Sequence, residues 1–385
     1  MLKIKNIHLI SEGQPLDKLK VLNKSLESSL QQFYNADEID TEYITLKQFY
    51  DVNITDCNIC HLNLIRASDN NFKFFYNNNT ISLLNRFLNK DTKNILVIHE
   101  LLENINHIPA IKTYFPEAVW NRINFITGNL SIESADIKII RSLLMLPYTN
   151  LFLNKTIPQS KIEQDFFIPA NTVRNSKFIV LHLLKNANLL DKNYSYGNTN
   201  IQNIKEFVLK MYKDSPEIGL LKEALDKNVE ENILGEVYQE NAFDKNRYFN
   251  LNFSEQLLKA HNNSLLNIIL EDKADHDRME NNVNHLSEKF FIPISLKKPF
   301  VVFYCANFLK QMKEYGFKSF APFINEEYDL VEDDIARYNL VIKEMKKISV
   351  MTDTEKNKFI EDVSPICEHN FNIMSEYMQN KNFLK

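Results

Sequence analysis

The chain has 385 residues, of which 25% are charged, and its net charge is −5 at pH 7. A single hydrophobic core rarely grows past about 300 residues, so we expect two domains. The slight negative charge excludes nucleic-acid binding by an overall positive charge of the protein. A locally basic groove would not show in the net charge. The 6 glycines are too scattered for a glycine-rich phosphate loop or a GxSxG nucleophile turn.

The first half of the chain alternates short apolar runs with helical patterns. Apolar residues at three- and four-residue spacing predict helices at residues 16–33 and 80–88. Strands that alternate with helices are typical of a parallel sheet covered on both faces, so we expect an α/β domain over residues 1–160. The predicted strands are residues 2–10, 42–46, 59–65, 95–99, 123–127 and 137–140.

The second half of the chain repeats this pattern and predicts another α/β domain, over residues 161–345. The run 178–184 fits either a strand or the start of a helix. After this domain we expect a C-terminal helical tail, residues 346–385, in which Thr352 and Glu355 form a capping box. The other predicted elements are helices at 217–232, 254–260 and 308–315 and strands at 265–270 and 299–304.

Cys57, Cys60 and His61 match the CxxCH pattern of haem attachment. The surrounding run alternates like a half-buried strand, and no second CxxC supports a zinc site, so we interpret both cysteines as buried strand residues and predict no metal. The first twenty residues are too charged for a signal peptide, and no apolar run reaches the roughly 18 residues of a membrane helix. We therefore expect a cytoplasmic protein with free thiols and no membrane partner.

The densest functional signal is a helix start that follows the predicted strand at 265–270. Ser287 is predicted to cap this helix, with Glu288 and Lys289 in its first turn, where backbone N–H groups are unpaired. Such a start suits a nucleotide, because N–H groups and lysine bind phosphates and a carboxylate binds ribose hydroxyls. The strand delivers Glu271 to the sheet edge where α/β proteins bind ligands, so we expect these residues to converge. The alternative interpretation is an ordinary helix cap with solvated charges and a surface loop.

The residues LNIILED (266–272) and HLSEKFFIPISLKKPFVVF (285–303) form a recognisable pair. They resemble the donor half of fucosyltransferase-like glycosyltransferases, in which a strand ending in Glu precedes a T/S-E-K helix and a kkPfv strand. The continuation through GFKSF (316–320) and NEEYD (325–329) is similar to a group of phage and virus proteins described as glycosyltransferases. The resemblance implies a GT-B-like fold, with two Rossmann-like domains facing a cleft, the first on the acceptor side and the second on the donor side.

The resemblance also implies roles for individual residues. Glu288 and Lys289 would contact the ribose and the diphosphate of the donor, next to Ser287 at the T/S position of the motif. An upstream basic residue would bind the diphosphate, and Arg174 or Lys177 matches it best. The His-Arg pair of the phage proteins is replaced here by Ser-Lys at residues 176–177. The chain could therefore also be an inactive descendant of these enzymes. Taken singly, Arg174 and Lys177 fit surface charges as well.

The mechanism implied is an inverting, metal-independent transfer from a nucleotide-diphosphate sugar, with no cofactor. Asp275 and Asp277 match a DxD pattern, but they and the pair Asp333–Asp334 fit solvated helix or loop charges rather than a clear metal site. Basic residues would then neutralise the leaving diphosphate. An inverting reaction needs a base for the acceptor hydroxyl. The strand at 95–99 presents two candidates at its end, Glu100 as first choice and His99 as second. The alternative is an ordinary strand-end charge.

The expected partners are a nucleotide sugar and an acceptor that is a glycan, a protein or a modified nucleic acid. A viral source would place the protein in the host cytoplasm. Two other functions stay open: a non-catalytic virion or host-interaction protein that retains the glycosyltransferase fold, and a small-molecule-binding module without transfer activity.

Overall fold

The computed structural model describes residues 2–9, 27–44, 54, 57–64, 77–100, 108–127, 134–141, 143, 162–169, 175–190, 194–196, 218–220, 222–223, 226, 260–271 and 286–380. The chain divides into two compact units. The first consists of Met1–Pro147, Val283–His285 and Tyr377–Lys385, and the second of Tyr148–Asn282 and Leu286–Glu376.

A six-stranded parallel sheet is the main feature of the first unit. Its strands are β1 (Lys3–Leu9), β2 (Glu38–Ile44), β3 (Ile59–Leu64), β4 (Ile95–Glu100), β5 (Ile123–Thr127) and β6 (Lys138–Arg141). They lie in the order β2-β1-β3-β4-β5-β6, and every neighbouring pair is parallel. The order reverses between β1 and β3, which is the topological switch point of a doubly wound sheet. The expected α/β class is confirmed for this unit.

The edge strand β2 is held to β1 by ion pairs as well as by the backbone ladder. Lys3 lies 2.8 Å from the carboxylate of Glu38, and Lys5 lies 2.6 Å from that of Asp40 and also pairs with Glu42. β2 begins at residue 38, four residues before the predicted start at residue 42. Opposite charges on neighbouring strands stabilise their pairing by a few tenths of a kcal/mol to about 1 kcal/mol each.

The two faces of this sheet differ in polarity, because successive side chains of a strand point to opposite faces. One face packs against α1 (Asn78–Lys90) and α2 (Ile108–Tyr114) in an apolar core. The sheet residues in this core include Ile7, Cys60, Leu62, Leu96, Ile98 and Phe125. The alternate positions mix buried apolar side chains, such as Ile4, Val97 and Ile126, with buried polar ones, namely Asn6, His8, His61, His99 and Asn124. So many buried polar side chains are unusual in a sheet of this kind.

The second unit contains a four-stranded parallel sheet. Its strands are β7 (Gln164–Pro169), β8 (Tyr194–Tyr196), β9 (Ser264–Leu270) and β10 (Phe300–Phe303). They lie in the order β10-β9-β7-β8, so the order reverses between β7 and β9. The predicted strands at 265–270 and 299–304 are confirmed, and β7 and β8 were not predicted. The α/β class is confirmed here too.

Three helices follow the strands of the second sheet. They are α3 (Asn175–Asn186), α4 (Glu288–Ser295) and α5 (Phe308–Glu314). The ambiguous run 178–184 lies inside α3 and is therefore helical. The predicted helices at 217–232 and 254–260 lie mostly outside the described residues, although the described positions between 218 and 226 are helical.

An aromatic cluster fixes α4 against the sheet. The ring of Phe290 meets the rings of Phe291, Phe300, Phe308 and Phe317 edge-on, with centroids 5.1, 5.6, 5.7 and 5.2 Å away. Edge-to-face aromatic pairs contribute about 0.5–1.5 kcal/mol each beyond the area they bury. The start of α4 therefore has a well-defined position relative to β9 and β10.

Two further helices, α6 (Asp334–Ser349) and α7 (Asp353–Asn380), cover the region predicted as a helical tail. The capping box is present: the Glu355 N–H donates to Thr352 Oγ1 at 3.3 Å, and the Thr352 N–H donates to the Glu355 carboxylate at 2.7 Å. Both helices bury apolar side chains and so contribute to the core of the second unit; those of α7 are Phe359, Val363, Cys367 and Met374. No helix in the described part of the chain is long and apolar enough to cross a membrane.

Candidate functional site

Glu271 follows the last residue of β9 at the carboxyl end of the second sheet. β9 is buried along its whole length, and the Glu271 side chain is only 1% exposed. The Glu271 N–H donates to the carbonyl of Phe303 at 3.3 Å, which extends the pairing with β10 by one residue. Because β9 is next to the point where the strand order reverses, Glu271 lies at the edge where open α/β sheets bind ligands.

The start of α4 contacts Glu271 directly. Ser287 caps the helix, and its hydroxyl accepts from the Lys289 N–H at 3.0 Å. The same hydroxyl donates to Oε1 of Glu271, and the Lys289 ammonium donates to Oε2 at 3.1 Å. The structure therefore brings Glu271 and Lys289 together, as the sequence predicts, and adds the Ser287 hydroxyl to them. We call these three residues the Glu271 cluster.

The charges in the Glu271 cluster are unequally buried. The Glu271 carboxylate is almost inaccessible, whereas the Lys289 side chain is 24% exposed. A buried carboxylate is tolerated only when it is paired and hydrogen-bonded, and here Ser287, Lys289 and the positive end of α4 all stabilise it. The cluster thus places a partly exposed lysine and a helix N-terminus at the carboxyl edge of the sheet.

The other residues predicted for the donor site are only partly described. Glu288 is the first residue of α4, but its side chain lies outside the described part of the chain, and Arg174 lies outside it altogether. Lys177 lies in the first turn of α3 and is 2% exposed, so the interpretation as a surface charge is wrong for this residue. α3 begins six residues after the end of β7, so Lys177 lies in the helix that follows the strand beside β9.

The two residues predicted as catalytic bases lie in the first unit, at the end of β4. Glu100 is the last residue of this strand, and its side chain lies outside the described part. His99 is fully buried, with Nδ1 3.3 Å from Nε2 of His61. Burial lowers the pKa of His99 to about 3. Because an effective general base has a pKa near the working pH, this environment disfavours His99 for that role.

The residues of the CxxCH pattern have separate environments. Cys60 and His61 are buried in β3, whereas Cys57 precedes the strand and is half-buried. The Cys57 thiol donates to the carbonyl of Ile54 at 3.3 Å, and His61 bonds to Asn6 and His99. Within the described residues, no group of three or more His, Cys, Asp or Glu side chains is arranged to hold a metal ion.

No protein-family model matches this chain, and a search of curated proteins finds no match either. Among solved structures, the chain is similar to an E. coli structure described as trehalose-6-phosphate bound with UDP-2-fluoro glucose, at 11% identity and a TM-score of 0.41 over 99% of both chains. It is equally similar to an α,α-trehalose-phosphate synthase (UDP-forming) from Burkholderia vietnamiensis, at 11% identity and a TM-score of 0.41 over 99% of this chain and 97% of the other. Likenesses this low decide neither the fold family nor the activity.

The stretch that follows β10 has a structural role. Asp329 caps α5 by accepting from the N–H groups of Leu309 and Lys310 at 3.0 and 3.1 Å. The buried Arg337 guanidinium donates to the carbonyls of Tyr304 and Glu332 at 2.7 and 3.1 Å. These contacts join the end of β10 to α5 and α6.

Two features of the molecule were not predicted. A groove of about 790 Å³ runs beside α5, lined by charged residues that include Lys310, Lys313, Glu326 and Glu344. The second is the row of buried polar side chains in the first sheet, Asn6, His8 and His61 beside His99. Its sequence signal is a polar residue at alternate positions of otherwise apolar strands.

Proposed function

We propose that the protein is a glycosyltransferase that takes its sugar from a nucleotide-diphosphate sugar, with the diphosphate bound at the start of α4. The observation that carries this proposal is the contact of Glu271 with Ser287 and Lys289. It holds an ammonium group at a helix N-terminus, beside the switch point of a parallel sheet. Both features attract phosphate groups, and neither needs a glycine-rich loop.

Each member of the site has a separate task in this proposal. Lys289 neutralises the diphosphate as it leaves, which stabilises the charge that develops in the transition state. Glu271 holds the lysine in place from the buried side, because its carboxylate is 1% exposed and the lysine 24%. Glu288 binds the ribose hydroxyls, and Lys177, in the first turn of α3, or Arg174 supplies a second positive charge.

The finer parts of the proposal rest on the sequence resemblance. They are a GT-B arrangement, transfer with inversion and without a metal ion, and a base from the end of β4. Glu100 is the preferred base, because burial makes His99 a weak one. The acceptor is a glycan, a protein or a modified nucleic acid.

The test is calorimetric titration of the full chain with a panel of nucleoside diphosphates and nucleotide sugars, alongside the matching uncharged nucleosides. At least one nucleotide sugar should bind, and its nucleoside should bind far more weakly. Lys289→Ala should weaken nucleotide binding about 10- to 100-fold, the range for a charge-assisted hydrogen bond.

Lys297→Ala is the matched control, since Lys297 follows the opposite end of α4 and pairs with Glu368 on the surface. It removes the same charge and should leave binding unchanged. If no nucleotide binds, the enzyme interpretation is overturned and the non-catalytic alternative is favoured. If nucleotide binds equally well to Lys289→Ala, the site is wrong.

A further inference from the structure

Four polar side chains lie buried on one face of the first sheet. Asn6, His8, His61 and His99 are each 0% exposed. The strand register places Asn6 beside His61, and it places His8 and His99 in one row on either side of Asn63. β1 and β4 flank β3, so strand spacing alone sets these two histidine backbones about 10 Å apart.

Hydrogen bonds from Asn6 fix which ring nitrogens carry protons. The carbonyl oxygen of Asn6 is an acceptor, so His61 Nδ1, at 2.6 Å, donates to it. A neutral His61 then has a bare Nε2, which accepts from the Nδ1–H of His99 at 3.3 Å. His99 is left with a bare Nε2. Burial keeps both rings neutral, because it lowers the pKa of His61 well below its ordinary value and that of His99 to about 3.

The same asparagine leaves His8 with a free donor, whereas His99 is left with a free acceptor. The Asn6 amide donates to His8 Nε2 at 3.0 Å and to Thr41 Oγ1 at 3.2 Å. His8 therefore carries its proton on Nδ1, and its ring stacks on Tyr43 with centroids 4.8 Å apart. One asparagine side chain thus produces a donor at His8 and an acceptor at His99.

Neither His8 Nδ1 nor His99 Nε2 has a hydrogen-bond partner within the described residues. A buried polar atom without a partner costs about 1–3 kcal/mol, so this pair favours a ligand that satisfies both atoms. Their row lies near the carboxyl ends of β1, β3 and β4, and the strand order reverses between β1 and β3. That is the place where open α/β sheets bind small molecules.

We propose that this edge of the first sheet is a binding site for a neutral, hydroxyl-bearing small molecule that donates to His99 Nε2 and accepts from His8 Nδ1. A polyol or sugar meets both requirements, because each hydroxyl group can donate and accept. The neighbouring side chains Asn6, Thr41 and Tyr43 carry no charge, so burying an ionic group here would be costly. A metal ion fits less well, because both nitrogens of His61 are already hydrogen-bonded.

This inference does not depend on the nucleotide site, which lies in the second unit. It is tested by nitrogen NMR of the full chain labelled in histidine, titrated with glucose and inositol as neutral probes and with a sugar phosphate as a charged one. We expect His99 to be protonated on Nδ1 and His8 on Nδ1. A neutral probe should shift both signals and leave His261 and His369 unchanged.

Two substitutions sharpen the test. His8→Phe keeps the ring that stacks on Tyr43 and removes the donor, and His99→Phe removes the acceptor. Each should weaken binding of the neutral probe at least about tenfold. His369→Phe, on α7 of the second unit, is the matched control and should bind normally.

Three results would overturn the site. They are ring protons on the opposite nitrogens, no shift of His8 or His99 with either neutral probe, or equal binding by His8→Phe. The first two are measured on the unsubstituted protein, so they hold even if a variant fails to fold. Stronger binding of the sugar phosphate would contradict the assignment of a neutral ligand.

Discussion

Lys289 reaches back from the first turn of α4 to Glu271, with Nζ 3.1 Å from Oε2, and joins the helix to the end of β9. The lysine is partly exposed and the carboxylate is not. Removing Lys289 should therefore cost more stability than removing Glu271, because an uncompensated charge is far more costly inside the protein than at its surface.

This asymmetry predicts the result of a double-mutant cycle. Lys289→Met should lower the free energy of unfolding by about 2–4 kcal/mol, because it leaves the buried carboxylate of Glu271 without its ion-pair partner. Glu271→Gln should cost less, about 1–2 kcal/mol, since the exposed part of the lysine can be solvated. The double variant should recover part of the loss, and denaturant unfolding measures all three. Strictly additive effects would show that the two groups are not coupled.

The buried guanidinium of Arg337 makes a second prediction. It donates to the carbonyls of Tyr304 and Glu332 and pairs with Asp334. Arg337→Lys keeps the charge but cannot reach several acceptors with one planar group, so we expect a loss of about 2–3 kcal/mol in unfolding free energy. Lys347→Arg, at an exposed position on the same helix, is the control and should be neutral. An equal stability for both variants would contradict a structural role for Arg337.

Buried histidines make the stability of the protein sensitive to acid. Burial lowers the pKa of His8 and His99 from 6.5 to about 3, and that of His261 to about 4. Below pH 6.5 the unfolded chain binds protons that the folded chain does not. Stability is therefore complete above this pH and falls as the pH is lowered toward 3. Each histidine should remove about 2 kcal/mol in total between about pH 7 and pH 5, with the slope approaching about 1.4 kcal/mol per pH unit at the acid end, as measured by denaturant midpoints.

The control for this pH dependence is His99→Phe, which removes one of these titrating groups. Its unfolding free energy should depend on pH less steeply, by about one proton. A midpoint that does not change with pH in the unsubstituted protein would show that these rings are protonated in the folded state.

The four cysteines should differ in reactivity. Cys57 is half-buried, whereas Cys60, Cys305 and Cys367 are buried. Burial also raises the pKa of the Cys60 thiol well above its ordinary value and that of Cys367 to about 12, which lowers the fraction of reactive thiolate. A thiol reagent applied to the native protein should therefore label Cys57 first, and Cys57→Ser should abolish the fast phase. Fast labelling of Cys60 would contradict its burial.

Strands could be predicted from the sequence where apolar residues were continuous or alternated regularly, and they were missed where neither pattern extended far enough. The first four residues of β2 include Glu38 and Asp40, which read as a loop. As an edge strand, β2 instead presents these charges to the lysines of β1. β7 was missed because its apolar core, Phe166 to Ile168, is short and is followed by Pro169. Both cases depend on a neighbouring strand that the local sequence does not show.

The two candidate sites also differed in how far the local sequence predicts them. The helix cap at Ser287 and the proximity of Lys289 to Glu271 could be predicted, because a strand end and a helix cap both have local signals. The row of His8, His61 and His99 could not. His61 is separated by 55 residues from Asn6 and by 38 from His99, and only the strand register brings them together. A single histidine in an apolar run is indistinguishable from an ordinary core residue until its neighbours are known.

The pairing of β7 with β9 also sets the order in which the second unit can form. Gln164 pairs with Ser264, and the chain between them is about a hundred residues long. Closing so long a loop is entropically costly and makes folding slow, because the contact brings no stability until both strands are present. During synthesis, the edge of β7 that later pairs with β9 therefore stays unpaired until β9 has been made. An unpaired strand edge can associate with other chains. The sheet of the first unit has no such delay, so it should be complete before the second begins to fold.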